Sequence, residues 1–155
     1  MALVKSHPGF FVTGTDTDVG KTWVTAALVH AFRERGYPPT AMKPLATGSP
    51  PPGEDARMIG TAAGHEPKVF SCLPIPASPE RAATLADTTI DIDAMLSWIR
   101  THRRPWMVEG VGGWEVPITQ ETRISDIAAS LELPIILVAS NRLGVLNHTL
   151  ITVDA

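Results

Sequence analysis

An α/β fold, Rossmann-like and three-layered with a mostly parallel sheet between helices, is what this 155-residue sequence predicts. Three observations predict it. Short apolar runs read as buried strands. Helical patterns alternate with them, which calls for βαβ units and a parallel sheet. The run PIILVA at 134–139 is continuously apolar, as expected of a central strand covered on both faces.

In chain order the strands fall at 10–13, 40–45, 106–109 and 134–139. A helix over 21–35 places Val24, Leu28 and Ala31 on one face beside Ala27, and Gly36 and Pro38 stop it. A second covers 92–102, capped by Asp91 or Asp93, and a third covers 125–131 with Ser125 as its cap. The stretch 49–53 (SPPPG) is a loop. So is 71–79, where Pro74, Pro76 and Pro79 exclude both a helix and an interior strand. Residues 146–152 read as a new helix after PIILVA. Residues 1–155 are therefore expected to form one α/β domain, either an unusually short one or the front part of a longer one.

Hydrophobic residues make up 44% and charged residues 19%, which fits a globular chain and not a disordered one. The net charge of -3, with no long run of Lys or Arg, argues against a nucleic-acid surface. His102, Arg103 and Arg104 read as the solvated end of a helix. Cys72 is alone, so no intrachain disulfide forms and a reducing, cytoplasmic setting is expected. The apolar run in the N-terminal MALVKSHPGFFVTG is too short for a signal peptide, and no stretch reaches the roughly 18–20 apolar residues of a membrane span.

The strongest motif is the strand FFVT running into GTDTDVGKT at 14–22 and then into a helix. A phosphate tail carries several negative charges and needs many inward donors. Successive backbone N–H groups of a glycine-containing loop supply them, and the helix start adds its dipole. Lys21 puts a mobile positive charge on the outer phosphates, and Thr22 offers a hydroxyl to magnesium. A P-loop NTPase-type fold follows. Five residues rather than the usual four separate Gly14 from Gly20.

WMVEG at 106–110 is an apolar strand ending in a carboxylate and then glycines. In such sheets ligands sit beyond the carboxyl ends of strands. Glu109 thus suits a magnesium ligand, and Gly110, Gly112 and Gly113 leave room for phosphate. KPLATG at 43–48 puts Lys43 at a strand exit, where burial is expensive unless an anion meets it, with Thr47 as a nearby donor. Asp55 is a candidate second carboxylate for the metal, although Glu54 could equally serve or cap the following helix. His148 is assigned no chemistry.

Together GTDTDVGKT, KPLATG, VEGVGGW and LPIILVASNRLGVLNHTLIT, in this order and spacing, resemble the dethiobiotin synthetase family of the biotin pathway. The longer loop spacing fits that family's GTxTxVGKT form. The resemblance implies an ATP-dependent cyclo-ligase that closes the ureido ring of dethiobiotin from 7,8-diaminononanoate and CO2, through a carbamate and a carbamic-phosphoric anhydride. It implies Mg2+ as cofactor, ATP as co-substrate, a homodimer, and no nucleic-acid or membrane partner.

Carried onto this sequence, the resemblance makes Lys43 and Lys21 catalytic. ATP binds Asp18, Val19, Gly20, Lys21, Thr22, Trp23, Asp55, Glu109, Gly110, Val111 and Gly112. Thr22, Asp55 and Glu109 hold the metal. The substrate meets Thr17 and Thr47, the latter standing where the family often has Ser. Gly144, Val145, Leu146 and Asn147 form a helix start that receives the substrate carboxylate across the dimer interface. Ser78-Pro79 matches a substrate-side loop, with Glu80 where the family has His. Family members continue past the point matching Ala155, with residues that surround adenine. The competing reading is a regulatory or partitioning P-loop ATPase, or an inactive nucleotide-binding relative. Partitioning ATPases carry an extra lysine early in the loop, where this sequence has Thr15, Asp16, Thr17 and Asp18.

Overall fold

The computed structural model describes residues 8–155, so the reading of residues 1–7 as part of an N-terminus without a signal peptide lies outside the described residues. Strand β1 (Gly9–Gly14) leads into helix α1 (Lys21–Glu34), followed by β2 (Thr40–Met42), β3 (Leu45–Thr47) and α2 (Glu54–Ala63). Next come β4 (Ser71–Leu73), α3 (Pro79–Leu85), α4 (Ile92–Arg100) and β5 (Trp106–Glu109). The chain continues through α5 (Ile124–Leu131), β6 (Ile135–Val138) and α6 (Val145–Asp154).

The main sheet is parallel, with order β2-β5-β1-β6. From β1 the chain crosses to β2 on one side, and from β5 it crosses to β6 on the other. Right-handed crossovers in opposite directions place their helices on opposite faces. Period-two alternation then splits the core. Phe11, Met42, Trp106 and Val108 pack with residues of α3, α4 and α5, whereas Val12, Ala41 and Met107 pack with Val29 of α1 and Ile59 of α2. The neighbouring strands β1 and β5 are therefore the switch point of a doubly wound sheet. Ligands are expected outside their carboxyl ends.

Several expectations need correction. The strand expected over 40–45 is two strands in two sheets. Chain direction changes at Lys43-Pro44, and β3 pairs with β4 in a small parallel sheet. β4 itself falls where a loop was expected, and it ends before Pro74. Pro79 does not exclude a helix, because it occupies the first turn of α3, where a missing N–H costs nothing, and Ser78 accepts from the Arg81 N–H. The PIILVA strand is at an edge of the described sheet, not its centre, and Ile135 is 44% exposed. β5 is the strand buried at all four residues. On α1 the buried ridge is Lys21, Thr25 and Val29, with Val24 and Leu28 flanking it and Ala27 exposed. Asp91, not Asp93, caps α4 through the Ala94 N–H. Ser125 lies inside α5, whose start is fixed by Asp126 accepting from the Arg123 N–H.

Candidate functional site

The loop between β1 and α1 is a compact cradle. Gly20, the residue before α1, adopts a left-handed conformation (φ 98°) that a side chain would strain. The first backbone bond of the helix runs from the Val24 N–H to the Gly20 carbonyl, so the amides of Lys21, Thr22 and Trp23 precede it and face the helix's positive end. Asp16 organises the loop. Its carbonyl accepts from Lys21 Nζ at 2.8 Å, and one carboxylate oxygen accepts from the Thr17 N–H at 2.7 Å. The other accepts from Arg142 at 3.2 Å, tying the loop to the segment after β6.

Lys43, leaving β2, is buried and points under the loop. Its ammonium lies 2.6 Å from Glu109 Oε1, 2.9 Å from Asp55 Oδ2 and 3.0 Å from the Gly110 carbonyl. Thr22 donates to the same Glu109 oxygen at 2.8 Å. Residues 21–22, 43, 55 and 109 thus converge from four elements. Glu109 Oε2 is buried without a hydrogen-bond partner, and an unpaired buried carboxylate oxygen is costly unless something cationic meets it. Among the described residues no group of three or more His, Cys, Asp or Glu gathers to hold a metal. The available set is one hydroxyl and two carboxylates, and a hard cation that keeps water and phosphate oxygens is the kind such a set suits.

The charges shift one another. Burial pulls the Lys43 ammonium down most strongly, but Glu109 and Asp55, acting by charge and hydrogen bond, outweigh it and leave Lys43 above its ordinary value. Lys21 is held below its ordinary value by burial first and by the Lys43 charge second. Asp55 is pushed up by burial and down by Lys43 and Thr22, and the net is downward.

A cleft of about 440 Å³ opens over this cluster, lined by Thr17, Asp18, Gly20, Lys21, Thr22, Trp23, Lys43, Thr47, Glu54, Asp55, Met58, Val111 and Gly112. A second cavity of about 510 Å³ adjoins it, lined also by Gly48, Pro76, Ala77, Ser78 and Val116. Thr17, Asp18, Thr47, Val111 and Gly112 line both cavities and form the boundary between them.

Most sequence-predicted residues therefore meet in one place, and Asp55 is separated from Glu54 by its ion pair to Lys43. Val19 does not reach the cleft; it is buried against the core on the α1 face. Glu109 and Gly110 sit beneath the cleft instead of lining it. Gly144, Val145, Leu146 and Asn147 line neither cavity, and form the start of α6 at the surface. Sequence reasoning missed Met58, Pro76 and the Asp16–Arg142 pair. Only the proline-rich stretch 74–79 carried a signal, as a loop able to wall a cavity.

Fold and cradle define a P-loop α/β nucleotide-binding protein. The AAA domain family matches residues 8–155. The ATP-dependent dethiobiotin synthetase of Xanthomonas axonopodis pv. citri is 38% identical over 161 aligned residues, covering 96% of this chain and 72% of that protein. That of Haloferax mediterranei is 42% identical over 152 residues, covering 94% of this chain and 65% of that protein. The chain belongs to the ATP-dependent dethiobiotin synthetase family.

Proposed function

We propose that this chain closes the ureido ring of dethiobiotin from 7,8-diaminononanoate, CO2 and ATP. The carrying observation is Lys43, held by Glu109 and Asp55 at a cleft that opens from the phosphate loop into a second cavity. The triphosphate lies along the 14–22 loop with Lys21 on its outer phosphates, and the diamine occupies the second cavity against Thr17, Thr47 and Ser78.

One amine adds to CO2 and loses a proton, giving a carbamate. A carbamate oxygen attacks the γ-phosphorus and ADP leaves, forming the mixed anhydride. The second amine then attacks the carbamoyl carbon, and phosphate departs as the ring closes. Carbamate and γ-phosphate are both anionic, so their approach needs positive charge preorganised between them. Lys43 and Lys21 supply it, and the raised pKa of Lys43 keeps its charge fixed. Asp18, Val19, Gly20, Trp23, Gly110, Val111 and Gly112 complete the nucleotide site, Val19 by packing beneath the loop.

Mg2+ would be held by Thr22, Asp55 and Glu109, whose orphaned Oε2 fits a cation. When bound it neutralises phosphate charge. Gly144–Asn147 would receive the substrate carboxylate from a second copy, with the apolar surface of Leu146, Leu150 and Ile151 forming the homodimer contact. Lone Cys72 fits a reducing cytoplasm, and no helix among the described residues is long and apolar enough to cross a membrane.

The test is ATP hydrolysis in the presence and absence of the diamine and bicarbonate. Hydrolysis that requires both supports the ligase. Turnover indifferent to the diamine would return the site to the partitioning-ATPase reading, in which Lys43 and the second cavity have no task.

A further inference from the structure

Four tryptophans occur in the sequence, and three are occupied. Trp106 is buried with its indole N–H donated to the His102 carbonyl, Trp98 meets the Phe70 ring at a tilt and the His102 ring edge-on, and Trp114 packs on the core. Trp23 differs. It is 72% exposed, and its indole makes no hydrogen bond or ring contact among the described residues, yet it lines the nucleotide cleft together with Met58. It stands in the first turn of α1, and its amide is one of the three ahead of the first helical bond. The residue that presents a donor to phosphate therefore also presents a bare aromatic face beside it.

We propose that the Trp23 indole is the stacking platform for the purine base of the bound nucleotide. The proposal rests on the reading of the cleft as a nucleoside triphosphate site and assigns its base-recognising surface. A nucleotide gripped by its phosphates at the helix start extends its sugar and base outward from that start, along a wall on which the exposed aromatic surface is Trp23. Met58 adds a polarizable, adaptable side chain to the lining of the same cleft. Stacking on an indole draws on the π-face every base has and reads no base edge. Trp23 thus supplies affinity for a base without choosing among purines.

The discriminating measurement is calorimetric affinity for Mg-ATP, Mg-GTP and magnesium with inorganic triphosphate, in wild type, Trp23→Leu and Trp23→Phe. Because Trp23 is exposed, neither substitution endangers folding. Trp23→Leu should weaken both purine nucleotides roughly ten-fold, and Trp23→Phe by no more than about three-fold, with inorganic triphosphate unchanged throughout. ATP, but not inorganic triphosphate, should quench a component of the tryptophan emission that is missing in Trp23→Leu. Undiminished ATP affinity in Trp23→Leu would overturn the proposal. So would equal weakening of ATP and inorganic triphosphate, which would place Trp23 in loop geometry and not at the base. Wild type that binds neither ligand would overturn the nucleotide-site reading itself, an outcome distinct from the other two.

Discussion

Lys43 Nζ and Glu109 Oε1 are 2.6 Å apart, and the two side chains are 3% and 0% exposed. Both charges have been taken out of water, so each is tolerated because the other is present. Replacing Lys43 by Met keeps much of the volume but strands Glu109 as a buried anion. Lys43→Met is expected to lose about 3 kcal/mol of stability, and to lose ring closure while Mg-ATP binding persists. Adding Glu109→Gln should recover most of that stability and none of the activity. Urea titrations of the two single variants and the double variant test this. A double variant no more stable than Lys43→Met would show that the pair is not the source of the loss.

Asp55 gives a pH dependence with a definite sign. Its carboxyl lies below the ordinary value of 3.8 because Lys43 and Thr22 outweigh the opposing effect of burial. A depressed carboxylate binds fewer protons folded than unfolded. Its contribution is therefore complete above about pH 4 and is lost as pH falls through its lower folded value. Asp55→Asn should flatten the melting-temperature profile below about pH 4 and leave its shape near pH 7 unchanged. The side chain is 47% exposed, so solvent screening limits the amplitude to about 1 kcal/mol or less. Identical profiles for variant and wild type would remove Asp55 from the acid response.

What could be read from the sequence was what is local. The loop 14–22 carries its own glycines, lysine and helix start, and Glu109 ends an apolar strand, so their meeting follows from the parallel topology. Lys43 stands at a strand exit, where burial calls for an anion to meet it. Its burial depends on a carboxylate 66 residues away, which no local pattern encodes. The split of 40–45 into β2 and β3 was hidden because both halves are equally apolar, and the turn at Lys43-Pro44 is set by the chain's need to leave one sheet for another. The buried ridge of α1 includes Lys21 and Thr25, polar residues that hydrophobic periodicity passes over.

Asp16 and Arg142 form an ion pair across 126 residues of sequence, linking the phosphate loop to the segment before α6. Both side chains are about half exposed, so the contact contributes little to global stability, on the order of 0.5 kcal/mol. Its local effect is to hold the loop whose Asp16 carbonyl anchors Lys21. Arg142→Ala is expected to leave the melting temperature within about 2 °C of wild type and to raise the KM for ATP by roughly two- to five-fold. Steady-state kinetics at low and high salt check this, because the wild-type advantage should shrink as salt screens the pair. An advantage independent of salt would rule out charge as its origin.

Gly14 ends β1 where the chain turns into the loop. A methyl group there would stand 2.7 Å from Val19 Cγ2, 3.0 Å from the Asp16 carbonyl oxygen and 3.2 Å from Lys21 Cδ. Val19 is β-branched and packed in the core, so it cannot rotate away at little cost. The strain would pass to the Asp16 carbonyl and the Lys21 stem, the two groups that set the position of the lysine ammonium. Gly14→Ala is therefore expected to cost about 1–3 kcal/mol and to weaken Mg-ATP binding by more than ten-fold. Gly113 is the control on the facing strand exit. Its added methyl would meet the Gly14 carbonyl at 3.5 Å, an ordinary contact, so Gly113→Ala should change stability by no more than about 0.5 kcal/mol. Urea denaturation with calorimetric titration of Mg-ATP separates the two. Equal behaviour of the two variants would mean that the loop tolerates a side chain at Gly14, and that Lys21 is not positioned by the turn.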